Sequence, residues 1–62
     1  MSLSPTLEES RRFFEMSAGC RIEDDSWDEI KRLMDKRFGS DEKRKVYYMV
    51  DLALKTKEAR EA

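Results

Sequence analysis

The chain has 62 residues, of which 44% are charged and 39% hydrophobic, and its formal net charge is −1. This length allows one small domain. A net charge so close to zero gives no indication that the protein binds nucleic acid or a membrane surface. A single cysteine excludes a disulfide within the chain, and the absence of histidine excludes the commoner zinc sites. We therefore expect residues 1–62 to form one domain that is stabilised by tight packing or by self-association.

The first predicted helix covers residues 5–18. Two frames are open for its beginning, because Ser4 can cap a helix that starts at the following proline, whereas Thr6 and Glu9 have the spacing of a capping box. Gly19 is a typical C-terminal stop. Both frames place carboxylates in the early turns, where they suit the positive end of the helix dipole.

The second predicted helix spans residues 26–38 and follows a linker at residues 19–25. Ser26 and Glu29 have the spacing of a capping box, and Gly39 marks the C-terminal end. At 100° per residue, the apolar side chains fall on one face that is about 140° wide, with charged residues on the remainder. That face consists of Trp27, Ile30, Leu33, Met34 and Phe38.

The third predicted helix spans about residues 41–59, with Ser40 as its N-cap. The short Gly39–Ser40 connection makes helices 2 and 3 an antiparallel hairpin. Eight of the nine residues from Val46 to Leu54 are apolar or aromatic. Seven of them cover an arc of roughly 220°, which is wider than one packing face requires, and Tyr48 widens the arc further. The polar C-terminal end is expected to fray from about residue 58.

These elements predict an all-α domain of three helices around one small core. The expected core residues are Leu7, Phe14, Trp27, Ile30, Met34, Phe38, Val46, Met49, Val50, Ala53 and Leu54. Two short helices can hardly enclose the wide apolar arc of the third, so the sequence also predicts self-association, with a dimer favoured.

The sequence predicts neither an enzyme nor a cofactor or metal site. It has no histidine, Gly-rich phosphate loop or Cys-x-x-Cys pair. The acidic residues at 23–29 lack the spacing of an EF-hand and are typical of a helix N-terminus. No apolar run is long enough to cross a membrane, and a lone cysteine suits a reducing compartment, so we expect a cytoplasmic protein.

The aromatic and methionine side chains of helix 3 predict the functional surface, because Trp, Tyr and Met favour the centres of protein interfaces. We expect a non-catalytic, cytoplasmic interaction or regulatory module that contacts a second copy of the chain or a different protein. The predicted interface residues are Tyr47, Tyr48, Met49, Leu52 and Leu54. Charge is also uneven, with −5 on residues 1–29 and +4 on residues 30–62, which suits an electrostatic partner or a second copy.

The alternative is a dimeric DNA-binding regulator of ribbon-helix-helix or helix-turn-helix type. Residues 31–45 carry seven bases and three acids, and bases in such a corner can contact phosphates. A ribbon-helix-helix requires residues 20–23 as a strand. A helix-turn-helix is disfavoured by Asp35 and Lys45, which occupy positions that are usually small or apolar. The possible nucleic-acid contacts are Lys36, Arg37, Lys43, Arg44 and Lys45.

Overall fold

The computed structural model describes residues 5–62, which form three α-helices and contain no strand. Helix α1 spans Leu7–Ala18, α2 spans Asp24–Phe38 and α3 spans Glu42–Glu61. The prediction of an all-α domain is therefore confirmed. The frame in which Ser4 caps the first helix lies outside the described residues.

Helix α1 begins with a capping box centred on Thr6. The Thr6 hydroxyl accepts a hydrogen bond from the Glu9 N–H at 3.1 Å, and the Glu9 carboxylate accepts one from the Thr6 N–H at 3.0 Å. The backbone bond from Thr6, followed by the bond with its side chain, favours the ionised carboxylate and lowers the pKa of Glu9. The Thr6 frame is thus correct, and α1 starts two residues later than residue 5.

Helix α2 begins at Asp24, two residues earlier than predicted, and Ser26 is not its cap. Glu23 occupies the N-cap position, and its side chain makes no capping hydrogen bond. The Trp27 N–H donates to the Glu23 carbonyl at 2.8 Å and closes the first turn. Arg11 on α1 also contacts this turn, since its Nη2 donates to Asp24 Oδ1 at 3.1 Å. Asp24 and Asp25 also complement the positive end of the helix dipole. The Ser26–Glu29 spacing therefore lies inside the helix.

Thr6 and Ser26 make a matched pair for testing the two caps. We expect Thr6→Ala to lower the free energy of unfolding by about 0.5–2 kcal/mol, because the Glu9 N–H loses its acceptor. Ser26→Ala should change it by less than about 0.5 kcal/mol, since Ser26 is an exposed residue within the helix. Urea titration followed by circular dichroism measures both. A larger effect at Ser26 than at Thr6 would contradict the assignment of the caps.

The turn between α2 and α3 depends on Gly39. Its φ of 64° and ψ of −132° lie in a region that glycine adopts without strain and other residues rarely enter. Asp41, rather than Ser40, then caps α3, because its carboxylate accepts a hydrogen bond from the Arg44 N–H at 3.2 Å. Helix α3 runs to Glu61, two residues beyond the predicted end.

Helices α1 and α3 pack closely, with Cα–Cα distances within 8 Å. Small buried side chains allow this approach, namely Ser10 and Ser17 on α1 and Ala53 on α3. The Ser10 hydroxyl donates to the Leu7 carbonyl at 2.6 Å, which satisfies a buried donor. Near the C-terminal end, Arg60 Nη1 donates to the Ser17 carbonyl at 2.7 Å. The last turn of α3, where fraying was predicted, is thereby tied to α1.

Gly19 ends α1 in the left-handed conformation, with φ 73° and ψ 21°, as the sequence predicted. A Cβ atom at this position would lie 3.0 Å from Arg60 Nη2. Glycine therefore serves two purposes here: it allows the positive φ, and it leaves room for the arginine that joins α3 to α1.

The core is small and largely follows the prediction. Its fully buried apolar residues are Trp27, Met34, Val46, Met49 and Ala53. Five further predicted core residues are half-buried, namely Leu7, Phe14, Ile30, Phe38 and Val50. The prediction is wrong for Leu54, which is 46% exposed. Leu54 lies about 100° around α3 from Ala53, outside the buried face.

Candidate functional site: an apolar groove between α2 and α3

An open apolar groove of about 370 Å³ lies between α2 and α3 and reaches α1 at one side. Its base is formed by Met34 and Met49, which are 2% and 1% exposed, and its α2 wall carries Leu33, which is 62% exposed. Its one charged lining residue is Arg37. The other residues of the lining are Phe14, Ile22, Ile30, Phe38, Tyr48 and Leu52. A concave surface of this composition suits the apolar side chains of a partner.

A stack of Arg37, Phe38 and Tyr48 forms the part of the groove that is nearest the α2–α3 turn. The two aromatic rings have centroids 5.5 Å apart and are tilted by 54°. The guanidinium carbon of Arg37 lies 5.6 Å from the Phe38 centroid and 5.7 Å from the Tyr48 centroid. At these distances cation–π attraction holds the guanidinium against the rings. The stack therefore places a positive charge at the edge of an apolar surface.

Hydrogen bonds with α1 fix the segment that carries the groove residue Ile22. Arg11 Nη2 donates to the Ile22 carbonyl at 2.6 Å, and the Ile22 N–H donates to Glu15 Oε2 at 2.7 Å. The Arg11 guanidinium also lies 5.3 Å from the ring centroid of Trp27, whose Nε1 donates to Glu8 Oε1 at 3.0 Å. Both Ile22 and the core tryptophan are thus held by polar side chains of α1.

A charged pair joins α2 to α3 near the turn. The Lys45 ammonium group is hydrogen-bonded to the Asp35 carboxylate. Lys45 is 8% exposed, whereas the Asp35 side chain is 64% exposed. A buried ammonium group requires such a partner. Both residues depart from the helix-turn-helix pattern in the sequence, but their pairing was not predicted. The sequence signal for a buried, paired lysine was the position of Lys45 within the apolar arc of α3.

The predicted interface residues divide between two surfaces. Tyr48, Met49 and Leu52 line the groove. Tyr47 and Leu54 are 62% and 46% exposed, and they lie roughly 100–160° around α3 from those three residues. We call the surface of Tyr47 and Leu54 the outer surface. Leu33, the most exposed apolar residue of the groove, was absent from the predicted interface because sequence periodicity placed it on the packing face of α2.

The five possible nucleic-acid contacts differ in their surroundings. Lys36 and Lys43 are exposed, and Arg37 is stacked at the groove. Arg44 Nε lies 3.4 Å from the carboxylate of the aspartate that caps α3. Lys45 is buried in its charged pair. Residues 20–23 are irregular, so the strand that a ribbon-helix-helix requires is not formed.

Within residues 5–62, no three or more His, Cys, Asp or Glu side chains are placed to hold a metal ion. In the same range, no helix has the length and apolar content needed to cross a membrane. Comparison of the chain with known protein families, curated protein sequences and solved structures gives no significant match. Function must therefore be inferred from the groove and from the charges around it.

Proposed function

We propose that the protein is a non-catalytic, cytoplasmic protein-interaction module that binds its partner through the apolar groove between α2 and α3. The observation that carries this proposal is the groove itself, an apolar concavity of about 370 Å³ with an exposed leucine on its wall. Expelling water from such a surface favours association.

Preorganisation of the groove also supports the proposal. The hydrogen bonds of Arg11 and Glu15 hold Ile22 in place, and the cation–π contacts hold Arg37 against Phe38 and Tyr48. A surface that is already ordered loses less conformational entropy when a partner binds. A larger share of the free energy gained by burying the apolar lining therefore remains as binding free energy.

DNA binding remains the alternative, and the exposed Lys36 and Lys43 beside the turn favour it. The burial of Lys45 and the irregular conformation of residues 20–23 weigh against it. The salt dependence of binding distinguishes the two functions. A DNA complex should weaken with a log–log slope near −0.9 for each phosphate neutralised, whereas association through an apolar groove should depend only weakly on salt.

Photo-cross-linking tests the choice of surface. Leu33 in the groove and Tyr47 on the outer surface are both 62% exposed, so they form a matched pair of sites for benzoylphenylalanine. We expect irradiation of producing cells to join a protein to the chain through position 33 and not through position 47. Circular dichroism of each purified variant checks that the helices are retained. Equal cross-linking at both positions, or none at either, would contradict the proposal.

A further inference from the structure

We propose that a second copy of this chain binds at the α2 wall of the groove, in an antiparallel α2–α2 pair centred on Leu33. This inference rests on the proposed interaction function and names its partner. It follows from the order of three side chains along α2 and from the symmetry that this order permits.

Glu29, Leu33 and Arg37 form a continuous row on α2. They are spaced by four residues, so successive members are about 40° apart around the helix and about 6 Å apart along it. All three are exposed, and Leu33 in the middle is among the most exposed large apolar residues of the described chain. The row therefore has an acid at its N-terminal end, a leucine at its centre and a base at its C-terminal end.

A two-fold axis through Leu33 makes this row complementary to itself. Two copies of α2 that run antiparallel bring Glu29 opposite the partner's Arg37, and the same contact is repeated on the other side of the axis. Leu33 then packs against the partner's Leu33. A parallel pair would instead set acid against acid and base against base. Such a self-complementary patch is the requirement for a symmetric dimer.

The surroundings of the row favour this arrangement. The guanidinium of Arg37 is held on the rings of Phe38 and Tyr48 at 5.6 and 5.7 Å, so less freedom is lost when it meets a carboxylate. The groove beside the row supplies apolar surface for the leucine pair.

Charge reversal within the row provides the test. Glu29→Arg gives a row with two bases, and Arg37→Glu gives a row with two acids, so each variant alone places like charges opposite each other twice. An equimolar mixture of the two restores both opposite-charge contacts in a heterodimer. Glu58→Arg, a reversal on the exposed side of α3, is the matched control.

We expect sedimentation equilibrium up to about 0.5 mM to show dimers of the wild-type chain and of Glu58→Arg. Each reversal in the row should weaken dimerisation at least about tenfold, and mixing the two variants should restore it. Leu33→Glu keeps both ends of the row and should be monomeric, which provides a second variant if Arg37→Glu does not fold.

A wild-type monomer throughout this range would overturn the inference, as would a dimer that tolerates both reversals. The photo-cross-linking above separates this failure from failure of the proposed function. If position 33 joins a different protein while the chain is monomeric, the groove is an interaction site and the self-pairing is wrong. If position 33 joins nothing and the chain is monomeric, both proposals are wrong.

Discussion

Replacing Trp27 with alanine is expected to lower the free energy of unfolding by about 3–5 kcal/mol, the largest loss from any single change considered for this protein. Trp27 is 2% exposed and is the bulkiest residue of a core that contains few fully buried apolar side chains. A chain of this length has at most several kcal/mol of stability, so the variant should be largely unfolded. Circular dichroism without denaturant shows whether the helices of the variant are lost, and a urea titration of the wild-type chain gives the stability for comparison.

Trp27→Phe and Glu8→Ala are the controls for that experiment. Phenylalanine keeps an aromatic ring in the core but removes the Nε1 donor and part of the volume of the indole. The Glu8 side chain is 63% exposed, so water can replace the indole N–H on its carboxylate. Glu8→Ala leaves the indole N–H without its acceptor, which costs about 1–3 kcal/mol. Each control should therefore cost less than Trp27→Ala. A loss below about 1 kcal/mol for Trp27→Ala would mean that the tryptophan does not lie in the core.

The second large effect is expected at the charged pair between α2 and α3. Asp35→Asn should lower the free energy of unfolding by about 1–3 kcal/mol, because the buried Lys45 ammonium group loses its charged partner. Adding Lys45→Met to this variant should recover most of the loss, since methionine fills similar space without a charge. A double-mutant cycle in urea measures the coupling between the two positions.

The exposed pair of Asp51 and Lys55 is the control for that cycle. Its oxygen–nitrogen distance is 3.0 Å, and its side chains are 59% and 71% exposed. Pairs of this kind contribute less than about 1 kcal/mol. If Asp35→Asn and Asp51→Asn had equal effects, the burial of Lys45 would have no energetic consequence and the account of the α2–α3 contact would be wrong.

Local sequence signals predicted the helices themselves well. The helical periodicity of the apolar residues and the stop at Gly39 predicted α2, and Trp27 and Met34 are buried on the face that the periodicity indicated. The capping box of Thr6 and Glu9 was one of two frames, and it is the frame that α1 uses. Signals of this kind succeed because they depend only on contacts within one turn of helix.

The starts of two helices were predicted wrongly, one where an earlier first turn forms and contacts another helix, and one where two adjacent residues can both act as the cap. Ser26 has the spacing of a cap, but the Trp27 N–H donates to the Glu23 carbonyl at 2.8 Å and closes an earlier first turn. Arg11 on α1 binds Asp24 in that turn. This contact joins residues 13 positions apart, so no helical period indicates it. At the start of α3, Ser40 and Asp41 are adjacent residues that both favour the cap position, and the conformation after Gly39 selects Asp41.

The site was predicted in part, because the sequence gives the width of the apolar arc on α3 but not the place where α1 covers it. Helix α1 packs closely against α3, and this packing leaves Tyr48 and Leu52 in the groove and Tyr47 on the outer surface. The wide apolar arc of α3 is therefore divided between two separate surfaces. Leu33 was missed for a related reason, since α2 does not bury its whole apolar face against the other helices.

Disulfide trapping at position 33 tests most directly whether a second copy of the chain binds at the groove side. Cys20 is exposed, so Cys20→Ser removes the native thiol first. Leu33→Cys then places one thiol per chain at the proposed two-fold axis, where the Cα atoms can approach within the roughly 4.4–6.8 Å that a disulfide requires. Tyr47→Cys, with the same exposure in the native chain, is the control. We predict a covalent dimer through position 33 and none through position 47, and the reverse result would contradict the account.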